Sequence, residues 1–156
     1  THDTNSNFIA KKLIESGIQL EEIKIIQDNQ DIIINSILDF HKKYSYVFTT
    51  GGIGPTHDDI TSKSIAIAFK RKYCINNEAF KILERYYPKG EFNSGRKKMA
   101  KMPENVKLIL NPITAAPGFN IENIYVLPGV PQIMQQMFIK LLETLKQGNP
   151  KKNNYN

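Results

Sequence analysis

Between Tyr46 and Thr61 the chain reads Tyr-Val-Phe-Thr-Thr-Gly-Gly-Ile-Gly-Pro-Thr-His-Asp-Asp-Ile-Thr. Its first five residues are β-formers and predict a short buried strand, Tyr46 to Thr50. Gly51, Gly52, Gly54 and Pro55 then stop any regular element from continuing: glycine admits sharp turns, and proline has no N–H to offer a ladder. Asp58, Asp59 and Thr61 follow, and Ile65, Ala66, Ala68 and Phe69 recur at helical spacing. A strand that passes through a glycine turn into a helix is how an open α/β sheet builds a ligand crevice at the carboxyl end of a strand. Free N–H groups at the start of the next helix attract anions.

Two common phosphate loops do not fit. A P-loop places Lys-Ser or Lys-Thr after its last glycine, and Gly54 is followed by Pro55. The dinucleotide fingerprint needs a third glycine at position 57, where the chain has His57. The Asp58-Asp59 pair would repel a phosphate unless a cation lay between them, and Mg²⁺ typically binds through one or two carboxylates plus substrate phosphates. Capping of the following helix, worth about 1 kcal/mol, accounts for either acid equally well. One acid can cap while its neighbour binds metal.

With 156 residues, 40% of them hydrophobic, the chain is expected to form one soluble domain over residues 1–147, with 148–156 as a frayed polar tail. No stretch approaches a membrane span. The first residue is Thr1 rather than methionine, which points to a truncated or processed start and leaves targeting open. The single Cys74 excludes an internal disulfide, fits a reducing cytoplasm, and reads as a small core residue. The net charge of +6 is concentrated in Lys70-Arg71-Lys72, Arg96-Lys97-Lys98 and Lys151-Lys152. These clusters are short and no nucleic-acid module accompanies them, so neither nucleic acid nor membrane is expected as partner. A pocket for a phosphorylated small molecule explains the charge as well. Arg96 and Lys98 are placed to reach a phosphate, or else form solvated surface.

Along the chain, Thr1 to Gly17 predicts a helix with Phe8, Ile9, Leu13 and Ile14 inward, and Ile18 to Gln27 predicts a strand ending at Asp28. Asp28 would face the crevice or cap the next helix. Asp31 to Tyr44 predicts a second helix, with His41 at its boundary. Alternating helices and strands imply a parallel sheet covered on both faces, and a strand preceding Thr1 would complete the leading unit. Residues 70–104 interrupt the alternation with a helix capped by Asn76 or Asn77, a Pro88–Gly95 loop and a basic segment ending at Pro103, which reads as an inserted subdomain. Val106 to Leu110 predicts a strand, Phe119 to Leu127 a hairpin turning at Glu122-Asn123, and Pro131 starts a long amphipathic helix.

Three rigid or small-residue segments thus follow predicted strands: Thr50 to Asp59, Asn111 to Gly118, and Leu127 to Pro131. If they converge, they line one cleft mainly with backbone. The candidate contacts to a ligand or phosphate are Thr50, Gly51, Gly52, Gly54, Pro55, Thr56, Thr61, Asn111, Gly118, Pro128, Gly129 and Pro131. The chain has no Cys/His pair, no Gly-x-Ser-x-Gly elbow and no zinc-ligand spacing, so its chemistry, if any, is acid- or metal-assisted.

Thr49-Thr-Gly-Gly-Ile-Gly-Pro-Thr-His-Asp-Asp-Ile-Thr61 resembles the signature of the molybdenum-cofactor biosynthesis domain shared by MoaB-, MogA- and gephyrin-type proteins. Asp3-Thr-Asn5, Met99-Ala100 before Pro103, Asn111-Pro112, Ala116-Pro-Gly-Phe119 and Leu127-Pro-Gly-Val-Pro131 are similar to its CinA-like branch. That branch includes the amino-terminal domain of competence/damage-inducible protein A. The resemblance covers roughly Asp3 to Leu145. It implies a three-layer α/β/α fold with a mostly parallel sheet, here carrying a small helical or hairpin insertion. It implies a pocket for molybdopterin or a nucleotide diphosphate, a divalent metal such as Mg²⁺ at Asp59 with Asp58 or Asp28 assisting, and self-association into a homo-oligomer. In the CinA-like branch it further implies metal-dependent cleavage of diphosphates of the ADP-ribose or FAD type; in the MogA-like branch, adenylylation of molybdopterin. A binding module without turnover is the third possibility. The usual Gly-Thr-Ala-Pro-Gly reads Thr114-Ala-Ala-Pro-Gly118 here, one glycine and one hydroxyl fewer. The family's first strand and its loop would precede Thr1.

Overall fold

The fold is taken from a computed structural model that describes residues 2–148. In chain order the elements are α1 (His2–Glu15), α2 (Gln30–Lys43), β1 (Val47–Thr50), α3 (Thr61–Ala68), β2 (Tyr73–Ile75), α4 (Asn77–Tyr86), α5 (Ser94–Lys98), β3 (Lys101–Pro103), β4 (Lys107–Ile109), β5 (Gly118–Ile121), β6 (Ile124–Leu127) and α6 (Pro131–Gly148). The main sheet has the order β1-β6-β5-β4. β1 runs parallel to β6, with Thr50 opposite Leu127, whereas β5–β6 and β4–β5 are antiparallel. The sheet expected to be mostly parallel is therefore mixed.

Period-two alternation on the strands separates two cores. Val47, Ile124 and Val126 turn to one face and pack with Ile33 and Ile37 of α2 and Ile65 of α3. Phe48, Tyr125 and Leu127 turn to the other, against Leu13 of α1 and Met134, Phe138 and Leu141 of α6. The Phe48 and Phe138 rings meet edge to face at 5.1 Å. Helices on both faces of one sheet make the three layers.

The interruption at residues 70–104 is a subdomain packed on the first core. Asn76 caps α4 by accepting from the Ala79 N–H, and Ala79, Leu83, Ala100 and Met102 are buried. β2 and β3 pair antiparallel, Tyr73 opposite Pro103. Cys74 lies on β2 and is only half-buried, not the core residue expected. The second predicted strand is also corrected. Residues 18–27 form no ladder, and Ile23 and Ile25 are 51% and 59% exposed. A strand exists only where a neighbour supplies hydrogen-bond partners. β1 pairs on one side only, with β6, and a groove separates its other edge from this segment. The segment is instead tethered by the Tyr44 hydroxyl, which donates to Glu22 at 2.5 Å. The polar tail expected over 148–156 falls, beyond Gly148, outside the described residues.

Candidate functional site

The parallel register of β1 and β6 brings their carboxyl ends together, and the loops that follow touch. Gly51 N–H donates to Leu127 O at 2.9 Å. A Cβ on Gly129 would stand 3.2 Å from Gly51 Cα. The antiparallel ladders carry the alignment on: Phe119 faces Val126 and Ile109 faces Gly118, so the Asn111–Gly118 loop leaves from the same edge of the sheet. All three segments thus share one edge. Asn5 fastens α1 to that edge by donating to Gly129 O at 3.0 Å.

Gly52 is the tightest point of the glycine loop. Its φ is +76°, and a Cβ there would lie 1.9 Å from Thr61 Oγ1. The absence of a side chain lets Thr61 N–H donate to Gly52 O at 3.0 Å, which closes the loop onto the start of α3. Among the described residues, the amides of Gly52, Ile53 and Gly54 have no acceptor within the protein. Consecutive unpaired N–H groups of this kind form anion-binding concavities.

Next to them is a closed turn. Asp59 N–H donates to Thr56 O at 3.1 Å, and Asp59 Oδ2 accepts from Thr56 N–H at 2.9 Å and from Thr56 Oγ1–H at 2.8 Å. Neither acid caps α3: its N-cap is Ile60, with no side-chain bond, so the capping account of the pair is removed. Asp58 is exposed and lies 3.5 Å from His57 Nε2. The turn is buttressed from the inserted subdomain. Lys98 Nζ donates to Thr56 O and, at 2.7 Å, to Asp59 O. Gly95 sits so close that a Cβ would meet Pro55 O at 3.1 Å. Arg96 does not reach the loop. It donates to Glu91 O at 2.7 Å and stacks over the Tyr87 ring at 4.3 Å.

Thr50, Gly51, Gly52, Asp58, Asp59 and Thr61 line a groove of about 900 Å³ that runs along the free edge of β1. Asp28 borders the same groove, exposed, while its neighbour Asn29 caps α2 by accepting from Ile32 N–H. Asp28 does not join the other two acids: among the described residues no three His, Cys, Asp or Glu groups cluster as metal ligands. Thr49 Oγ1 and Ser36 Oγ are buried without a protein partner, and both residues border the groove. An orphaned buried polar atom costs about 1–3 kcal/mol, and both oxygens are covered by protein rather than open to the groove. Sequence reasoning missed both; a hydroxyl within an apolar strand or helix face was the available signal.

Other candidates serve the frame. Asn111 Oδ1 accepts from the Ile113 and Thr114 amides while its Nδ2 donates to Thr114 Oγ1 and Ala116 O, so its polar atoms hold its own loop. Gly118 lies inside β5, where a Cβ would come within 2.1 Å of Val126 O. Neither borders the groove. Gly54, Pro55 and Thr56, in the loop and turn, and Pro128, Gly129 and Pro131, in the neighbouring loop and the first turn of α6, do not border it either, so the three segments share one end of the sheet without lining one cleft together. A second hollow, of about 440 Å³, opens on the far side of Asp59 between the turn, α3, α5 and the β2–β3 ribbon. No helix among the described residues is long and apolar enough to cross a membrane.

Residues 1–147 match the family described as probable molybdopterin binding domain. A protein of Archaeoglobus fulgidus is 37% identical over 146 residues, which are 94% of this chain and 62% of that protein. A putative competence-damage inducible protein of Clostridium botulinum is 34% identical over 142 residues, 87% of this chain and 35% of that one. The chain therefore spans between about three fifths and one third of the length of these relatives. Among solved structures, the protein CinA of Thermoplasma acidophilum is similar with a TM-score of 0.83 and 28% identity, over 93% of this chain and 89% of that one.

Proposed function

The chain belongs to the probable molybdopterin binding domain family, among relatives of the CinA-like kind, and from that premise we propose that it hydrolyses nucleotide diphosphates of the ADP-ribose or FAD type with the help of a divalent metal. One observation carries this reading: three consecutive unpaired amides, Gly52 to Gly54, of which Gly52 borders the groove, lie beside the carboxylate of Asp59, fixed in a closed turn that borders it too. The amides offer N–H groups to phosphoryl oxygens. Asp59 and Asp58 supply hard oxygen donors, and two carboxylates with no third protein ligand among the described residues suit Mg²⁺, which draws its remaining ligands from substrate and water. When bound, such a cation offsets phosphoryl charge and makes water a better nucleophile.

In the hydrolysis the water oxygen bonds to one phosphorus. The bond from that phosphorus to the bridging oxygen breaks, and two phosphomonoesters leave with release of the water's protons. The protein contributes position and charge: the loop amides orient the diphosphate, and Thr56 holds the Asp59 carboxylate in one orientation, leaving Oδ1 uncommitted. ADP-ribose and FAD hydrolysis followed by chromatography of AMP is the test. The reading requires AMP formation that depends on divalent metal and is lost in Asp59→Ala. The family description favours a second reading, molybdopterin as ligand. Copurified pterin fluorescence, or adenylylation requiring both ATP and pterin, would replace the first reading with it. Tight binding without turnover across metals would leave a binding module.

A further inference from the structure

The hollow behind the Asp59 turn is not used by the reading above. It is bordered by Lys63 of α3, Lys98 of α5, Lys101 of β3, Tyr73 of β2 and the exposed His57, with Asp59 on the wall it shares with the groove. Three lysines border it, and among its lining residues the only carboxylate is that of Asp59. None of the three lysines takes part in a salt bridge among the described residues. Each is accounted for differently. Lys98 donates to Thr56 O and Asp59 O, neither of which is a charged group. Lys101 lies over the Tyr73 ring at 5.2 Å, which restrains its ammonium at the wall. Lys63 is exposed and has no hydrogen-bonded partner among the described residues. The Tyr73 hydroxyl likewise has no partner there, and burial pushes its phenol pKa up, so it remains a neutral donor.

Like charges gathered along one open hollow repel one another, weakly where water screens them, and an anion offsets that repulsion. About 440 Å³ is room for a phosphate and the sugar attached to it. The same Asp59 wall faces the loop amides on one side and the lysines on the other. We propose that this hollow is an oxyanion subsite that takes one phosphate-bearing end of the diphosphate ligand, with Lys63 and Lys101 as its specificity-determining contacts. The inference rests on the diphosphate reading of the groove. It assigns the inserted subdomain a purpose: β2, β3 and α5 bring two of the three lysines to the loop.

The full chain is titrated with inorganic pyrophosphate in the presence of EDTA, by calorimetry and by ³¹P line broadening. Lys63→Gln/Lys101→Gln is compared with Lys107→Gln/Lys140→Gln, a pair of exposed lysines elsewhere that removes the same charge. Binding is expected to weaken at least tenfold in the first pair and less than twofold in the second. In the ADP-ribose assay the first pair should raise KM about tenfold with kcat within about threefold. Equal pyrophosphate affinity in the first pair and the wild type, or equal weakening in both pairs, overturns the subsite. Lysine-dependent pyrophosphate binding without hydrolysis of any diphosphate upholds the subsite and removes the enzymatic reading. Hydrolysis with an unchanged KM in the first pair does the reverse. Circular dichroism confirms that each pair is folded.

Discussion

Asp59 and Asp28 look alike in the sequence and differ in the fold. Each follows a run of β-formers, each precedes a helix, and both border the same groove. Around Asp59 the backbone turn is closed by its own amide, the carboxylate is held by two donors from Thr56, and Lys98 clamps two carbonyls from outside. Around Asp28 there is one backbone contact, Asn29 N–H to Gln27 O at 2.8 Å, and the capping role has passed to Asn29. A carboxylate that must align a reacting group gains from having its orientation fixed before the ligand arrives. What sets Asp59 apart from Asp28 is the set of neighbours that hold it.

The contrast fails if the two acids respond alike to removal. Asp59→Ala should lower kcat for ADP-ribose about 1,000-fold, on the order of 4 kcal/mol. Asp28→Ala should stay within about threefold. Asp59→Asn sharpens the point, because its amide oxygen can still accept from Thr56 and so keep the turn while losing the charge. If Asn rescues activity, the acid only shapes the loop; if Asn is as inactive as Ala, charge is what the chemistry needs. Next in size is the loop itself. Gly52→Ala combines a positive φ with a clash against Thr61 and should cost about 2–4 kcal/mol in a denaturant titration. Gly51→Ala, with φ +92° but open space at its Cβ, carries only the backbone strain and should cost about 1–2 kcal/mol.

That asymmetry also separates what could be read in advance from what could not. The strand, glycine turn and helix from Tyr46 onward were legible because turn chemistry is local: glycine and proline act wherever they stand. The hairpin at Glu122-Asn123 and the Asn76 cap were legible for the same reason, and Glu122 takes the positive φ, +51°, of a tight turn. The strand predicted over 18–27 was not legible as unpaired. β-formers describe which side chains suit a strand, whereas pairing depends on what lies across the edge of β1. The second core face and the three-layer packing followed from alternation. The direction of each ladder did not, and the sheet is mixed. Among the basic residues, Arg96 and Lys98 were equivalent candidates. Only the fold shows that Gly95 packs α5 against Pro55 and aims Lys98, not Arg96, at the Asp59 turn.

Lys98 therefore tests whether the clamp matters to the difference between the two acids. Lys98→Met removes both donors and keeps most of the side-chain length. It should lower kcat/KM about tenfold, roughly 1.4 kcal/mol, while Tm falls only a few degrees. Lys98→Arg should recover part of the loss. If the two variants are equal to wild type, the turn is rigid without its buttress and the comparison rests on Thr56 alone.

The smallest effect is expected on the Asp28 side, where the extended segment is held by packing of Ile18, Leu20 and Ile26 and, among the described residues, by one side-chain hydrogen bond. The Tyr44 hydroxyl donates to Glu22, and that bond to a carboxylate raises the phenol pKa to about 12 from 10.0. The sign follows from linkage. A group whose pKa is higher when folded stabilises the fold fully below its unfolded value and loses that contribution as pH rises through the folded one. The tether is therefore intact at neutral pH and is released between about pH 10 and 12. Tyr44→Phe should mimic that release at pH 7. Backbone order parameters of residues 20–27, whose amides donate no hydrogen bond among the described residues, should fall in the variant, while the amides of β1 and β6 keep their exchange rates, since that ladder lies on the opposite edge of β1. Faster exchange in β1 and β6 as well would mean that the two regions unfold together, and the contrast between a held acid and a loosely held one would not survive it.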